Sequence, residues 1–405
     1  MSDINILCTL ISDTSNGGSK VARAVVQDHV FFRECIPYLR EDLFLKNGKP
    51  AAWSDEKTFS CICTTFHIRR AWDLGDFLIR PSIEVKLSPD RKSLISFIEN
   101  PTWITKAGRV HPLFFSEVLS CLVSFVSLSP TKSPRENHRL EFESIDSVSN
   151  ETINEISLTL PFVYGGPGAY KSHLEYDEEA QLIEELKELI SILKSVDENQ
   201  YSFFLEVIRL VHLSILLKRD DFGLSYLLLV SAIESVAQKA IKRKHVKELS
   251  PKEEEWKKMA KNNNEFKEVF DAYKDMRGKN EYLSKRFTKF ILEFCPPDEW
   301  ENIVFDKYSH PNDKRNFFGK GIRNPALMEV KEIEGILKEA YEYRSRFVHD
   351  GAQPPHSSPE PTISKFFEVV PRYKNGLFQK EISPSYGLML GIAKHSIMKW
   401  LKTKI

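Results

Sequence analysis

A change of apolar period near the middle of the chain constrains its fold more than any single residue does. Before residue 165, short stretches rich in β-branched and aromatic side chains recur: Ile4 to Ile11, Val21 to Phe32, Phe59 to Ile68, Ser82 to Leu87, Leu140 to Ile145 and Ile153 to Val163. Turn formers break them, as at Ser15-Asn16-Gly17-Gly18, Asn47-Gly48 and Ser88-Pro89-Asp90. Runs of that length between such breakers read as strands. One helix, Pro112 to Leu128, is expected among them. After Gly165-Gly166-Pro167-Gly168 the spacing becomes three and four. Leu182, Ile183, Leu186, Leu189, Ile190 and Leu193 form one stripe, and Phe204, Val207, Ile208, Val211 and Ile215 a second. Tyr226, Leu229, Val230, Ile233, Ala237 and Ile241 form a third. Further helices are expected over Glu281 to Phe294, up to His349, and through Tyr386, Met389, Ala393, Ile397 and Trp400. Each stripe needs a partner face, which argues for a bundle. The expected fold is α+β: a β-rich domain over 1–170, then an all-α helical bundle over 171–405 with a charged insertion at about 242–280.

A length of 405 residues suits two domains, on a prior of about 150 residues each. The net charge is zero, so a nucleic-acid partner has to be argued from local charge. The six cysteines show no paired metal spacing and fit reduced, buried thiols in the cytoplasm. No secretory leader pattern opens the chain, and its apolar runs read as too short to span a bilayer. Lys171-Ser172 falls at the phosphate-loop offset from Gly165, but Tyr170 stands where that motif needs glycine. The acidic run Glu175 to Glu188 reads as a solvated helix start.

Local charge is concentrated between Lys239 and Lys289, where 16 Lys or Arg face 9 Asp or Glu. This is either a solvated insertion or a surface that attracts a phosphate backbone, densest at Lys242-Arg243-Lys244.

The segment Tyr343-Arg344-Ser345-Arg346-Phe347-Val348-His349-Asp350-Gly351 closes a helix whose stripe runs Val330, Ile333, Leu337, Ala340, Arg344 and Val348. Arginine at a core-facing position is rare unless paired. His349 follows five residues later, the side chain that titrates nearest neutrality, and Gly351 ends the helix. Glu234 lies in an apolar run, Leu228 to Ala237, where a carboxylate needs a partner. That partner is Arg344 or His349, unless Glu234 reaches solvent at the edge of its stripe. RNA phosphodiester cleavage needs no metal, because the 2′-hydroxyl is already next to the phosphorus. It needs proton transfer, which His349 can supply, and a cation for the phosphorane, which Arg344 can supply. Positions 344 and 349 lie about 140° apart on a helix, so one chain brings a single histidine. Two copies across a twofold interface would complete the pair. No residue set for deamination, hydride transfer or metal hydrolysis is legible, and no cofactor is called for. The bland alternative pairs Arg344 with Glu234 as a lock for the bundle and leaves His349 at the helix end.

The segment 343–351 resembles the R-x4–6-H signature of HEPN domains, and Ser231-Ala232-Ile233-Glu234-Ser235 is similar to the alanine–aliphatic–glutamate phrase of their Apea-like branch. The likeness spans about residues 180 to 402, with only these two phrases specific. It implies a dimerising helical bundle and a metal-independent ribonuclease, with Arg344 and His349 at the dimer cleft. Ser345 takes the place of the polar residue that commonly follows the arginine. The family includes toxins and bacterial anti-phage effectors, and also members that only bind RNA or protein. The expected partners are therefore RNA, a second copy of the chain, and a phage or host protein trigger at the first domain, with no membrane. Glu234 would orient the site, and Arg346, Lys242, Arg243 and Lys244 would contact RNA.

Overall fold

The computed structural model describes residues 28–47, 58–105, 113–134, 148–163, 174–246, 252–279, 282–304, 325–351, 366–374 and 377–405. The expected strands Ile4 to Ile11 and Leu140 to Ile145, the Gly165–Ser172 loop and Cys8 lie outside them. The fold is α+β. The chain divides into two compact units, one of Met1–Ser124, Thr131–Tyr164 and Tyr170–Glu188, the other of Phe125–Pro130, Gly165–Ala169 and Leu189–Ile405.

In the first unit, helices α1 (Asp28–Cys35) and α2 (Glu41–Asn47) precede an antiparallel sheet. Its strands are β1 (Phe59–Thr64), β2 (Trp72–Asp73), β3 (Leu78–Ile79), β4 (Ile83–Ser88), β5 (Arg91–Glu99), β6 (Thr131–Lys132) and β7 (Phe162–Val163). The central strand, β5, pairs with β1, β3, β4 and β7, with Phe59 opposite Glu99 and Cys63 opposite Ile95. Every residue of β1 is buried, so the sheet is covered on both faces there. The unit also holds most of helix α3 (Leu113–Ser127) and helix α4 (Asn150–Ser157). Ile156 of α4 packs on the face made by Phe59, Cys61, Cys63, Ile95 and Phe97.

Two expected strands are helical instead. Ile153 to Val163 begins inside α4, because Ser149 caps a helix by accepting from the Thr152 amide and its apolar residues recur at i and i+3. Only Phe162–Val163 is strand. The end of the expected Val21 to Phe32 strand lies in α1, which buries Phe31, Phe32 and Cys35. The acidic helix start is not simply solvated either. Glu179, in the first turn of α5 (Tyr176–Ser195), is fully buried.

The second unit is centred on α7 (Phe222–Ala240), which packs against α6 (Glu198–Leu217), α10 (Leu283–Phe294), α11 (Val330–Asp350) and α12 (Tyr386–Lys402). Asp197 and Asp221 cap α6 and α7 by accepting from first-turn amides. The stripe of α7, from Tyr226 through Ile233 to Ala237, is buried, and one such aliphatic side chain contributes about 1.5–3 kcal/mol. The charged insertion folds as a helical hairpin, α8 (Glu253–Asn262) and α9 (Asn264–Lys279), and among its described side chains only Phe270 is buried. The unit also holds a β-hairpin, β8 (Phe367–Lys374) with β9 (Leu377–Pro384), an addition to the expected all-α bundle. Contrary to the expectation of short apolar runs, α6 is long and apolar enough to cross a membrane. Its Phe204, Leu205, Val207, Ile208, Val211 and Ile215 are nonetheless buried against protein, the environment of a core helix.

Candidate functional site

Helix α7 presents Glu234 on its buried side, and α11 brings Tyr341 and Arg344, one turn apart, to meet it. Glu234 is 5% exposed. Its Oε1 accepts from the Tyr341 hydroxyl at 3.2 Å and from Gln238 Nε2 at 3.0 Å. Its Oε2 lies 3.2 Å from Arg344 Nη2. This contact is an ion pair without hydrogen-bond alignment, since Oε2 has no bonded donor and Arg344 Nε is buried without an acceptor. Of the two partners weighed for Glu234 in the sequence, the structure selects Arg344. The Arg344 side chain remains 25% exposed, at the rim of the bundle. Burial, and then the charge of Glu234, push the Tyr341 hydroxyl up to about 12 against the opposing pull of Arg344. Tyr341 is therefore a neutral donor over the physiological range.

Compared with protein-family models, with curated proteins and with solved structures, the chain matches none. The function has to be argued from this geometry.

The stripe of α11 is buried at Ile333, Ile336, Leu337, Ala340, Tyr341 and Tyr343, and Arg344 stands where burial ends. Val330 and Val348, expected in the core, are 61% and 52% exposed. The first and last turns of this long helix thus leave the bundle. His349 lies exposed in the last turn, and Ser345, half-buried, is one turn before it on the same side. Gly351 closes the helix at φ 64°, donating its amide to Arg346 O and Phe347 O. Arg344 and His349 of one chain do not converge. Arg346 pairs with Glu339 at 3.5 Å, and its guanidinium lies 4.2 Å from the Tyr343 ring centre. Tyr343 thus packs beside Arg346, while Arg344 stands 6.0 Å from the ring of Tyr341.

Lys242 and Lys244 are exposed, and Arg243 is half-buried, in the turn that follows α7. Lys242 and Arg243 line an open groove of about 650 Å³ with Phe203, Ser235, Gln238, Lys239 and Arg286. Arg286 is itself buried and donates from Nε to Ile241 O at 2.8 Å and from Nη2 to Gln238 O, capping the end of α7. Sequence reasoning missed Tyr341, Gln238 and Arg286. The first two carried a legible signal, lying three residues before Arg344 and four after Glu234. Arg286 had none, because its role depends on where α10 packs.

Two further histidines, His67 and His395, have carboxylate partners. His67 Nε2 is 3.1 Å from Glu84 and 3.4 Å from the buried Lys92 ammonium. His395 Nε2 is 2.7 Å from Glu299, which Lys399 also holds.

Proposed function

We propose that the chain is a metal-independent ribonuclease that acts as a homodimer through its helical unit, with the first unit as a sensing domain for a phage or host protein. The reading is that of an HEPN-like toxin or anti-phage effector. The observation that carries it is the Glu234–Arg344 pair bridging α7 and α11 at 3.2 Å, with His349 at the exposed end of the same helix.

A buried glutamate holds the arginine at the rim of the bundle, so the guanidinium reaches a fixed place without the entropy cost of a free side chain. The Nε–H is buried without an acceptor, an unmade bond that costs about 1–3 kcal/mol and that a turn of the guanidinium toward a phosphate oxygen would relieve. In the reaction, the substrate 2′-oxygen attacks phosphorus and the bond to the 5′-oxygen breaks. His349 takes the 2′-hydroxyl proton, and His349 of the partner subunit protonates the leaving oxygen. The products are a 2′,3′-cyclic phosphate and a 5′-hydroxyl. The planar charge of Arg344 stabilises the phosphorane between them. Val348, exposed beside His349, supplies apolar surface for the twofold contact.

The second reading is a non-catalytic dimerisation and RNA-binding module. It is favoured by the ion pair itself, which already occupies Nη2 of Arg344. One assay separates the two: RNA incubated with the purified dimer in excess chelator. The expected result is cleavage that persists in chelator and falls by about 10²–10⁴-fold in His349→Ala. Cleavage abolished by chelator, or untouched by His349→Ala, refutes the nuclease. RNA binding without turnover selects the module.

A further inference from the structure

The positive charge around the insertion is unevenly spread. Residues 252–279, which span α8 and α9, hold eight Lys or Arg against seven Asp or Glu. The flanks, residues 239–251 and 280–289, together hold eight against two. The fold draws described parts of both flanks together. Arg286 of α10 reaches the end of α7, and Lys289 Nζ lies 3.5 Å from His245 O. The groove lies at this junction, and none of its seven lining residues is acidic.

A plain explanation for cations here is the dipole of α7, whose C-terminal end carries roughly half a negative charge. Arg286 answers that on its own. Its guanidinium is buried against the carbonyls of Gln238 and Ile241, and one full charge exceeds the half charge it meets. Lys239 and Lys242 are therefore surplus to the helix. Lys239 is also positioned, its ammonium 3.4 Å from the centre of the Phe203 ring. An aromatic face holds a cation there without neutralising it.

We propose that this groove is a phosphate-binding subsite for a single-stranded nucleic acid, with one backbone phosphate held by Lys239 and Lys242. The anion site stands on the groove's own geometry, while the identity of the strand rests on the ribonuclease reading. Gln238 links the two places, because it lines the groove and donates to Glu234. Four helical residues separate Gln238 from Glu234, a rise of about 6 Å. A strand lying in the groove therefore passes within a few ångströms along α7 of the level of the Glu234–Arg344 pair. The hairpin α8–α9 is nearly neutral and contributes no lining residue to the groove.

The test uses the full-length protein and a fluorescent single-stranded RNA carrying 2′-O-methyl groups, which cannot be cleaved by 2′-hydroxyl attack. Lys239 and Lys242 are both exposed, so K239E/K242E keeps its fold, as an unchanged circular dichroism melt would verify. The expected result is an affinity loss of tenfold or more by anisotropy. The slope of log K against log salt should fall by about 0.7, the value for one neutralised phosphate on a single strand. K257E/K258E on α8, also exposed, should bind within about twofold of the parent on the same salt reasoning. Unchanged affinity in K239E/K242E, or an equal loss in K257E/K258E, overturns the subsite. So does displacement of the probe by polyglutamate as effective as by unlabelled oligonucleotide, which would make an acidic protein the ligand. Because the probe is not cleaved, this readout is independent of whether His349→Ala abolishes turnover.

Discussion

Glu179 and Glu234 are both buried carboxylates, one in each unit, and their surroundings differ in kind. Glu179 Oε1 accepts from the Arg69 amide at 2.9 Å, the Arg70 amide at 3.5 Å and the Trp72 indole at 2.9 Å. Two of those donors are backbone, and none can turn away without moving the loop before β2. Glu234 is held by the side chains of Gln238 and Tyr341 and by an arginine at the rim. A carboxylate bound by backbone is a staple. One bound by side chains, with its cation a quarter exposed, can exchange partners, and exchange is what substrate binding needs. The contrast is what favours Glu234 over Glu179 as part of the proposed site.

The largest expected effect comes from breaking the staple. Glu179→Ala strands three donors and should cost about 3 kcal/mol, at about 1 or more for each unmade buried bond. Denaturant unfolding together with hydrogen exchange over residues 69–72 measures it. A loss under about 1 kcal/mol would erase the distinction drawn above. Arg344→Ala comes next. It leaves Glu234 without its cation but with two neutral donors, so the cost should be about 2 kcal/mol, below the 3–5 usual for a fully buried pair. Arg346→Ala is its control. That pair, longer and about a third exposed, should cost no more than about 0.5 kcal/mol. Equal losses from the two arginines would mean that the inward position of Arg344 has no special weight.

The smallest effect concerns a third carboxylate, more exposed than either. Burial pushes Glu299 up, but hydrogen bonds from Lys399 and His395 outweigh it and hold the carboxyl below its ordinary 4.5. Burial also lowers the His395 imidazole below its ordinary 6.5, against the bond from Glu299. Both folded values lie below the unfolded ones. Their contributions are therefore complete above pH 6.5 and are lost as pH falls, first through His395 and then through Glu299. Thermal melts from pH 7 to 3 should show a shallow decline, with the part below pH 4.5 flattened in Glu299→Gln. A melt that strengthens on acidification would reverse the sign.

Much of the helical unit was legible because its stripes are long. Five or six apolar residues at three and four spacing specify a helix whatever packs on it, and α5, α6, α7, α10, α11 and α12 fall where the helices were expected. Short segments fared worse. Ile153 to Val163 has strand-forming residues, yet a serine cap and one apolar turn made its first half a helix. The central strand β5 went unread because it starts Arg91-Lys92, and Lys92 is buried beside Glu84, His67 and the Phe162 ring, which only the tertiary structure supplies. The ends of α11 were misread for a different reason. Period alone shows which side of a helix is apolar, and it cannot show where the neighbouring helices stop.

By itself the sequence determined the α+β class, the stripes of the bundle, the Gly351 helix end and the presence of a polar pair within apolar runs. These are local properties, set by side-chain spacing and backbone preference. Only the tertiary structure decided that Glu234 meets Arg344 rather than His349, that Glu179 is a staple, and that the two basic flanks of the insertion form one groove around Arg286. Those outcomes depend on which helix faces which, and the free energy that fixes them is gained only when distant segments exclude water together.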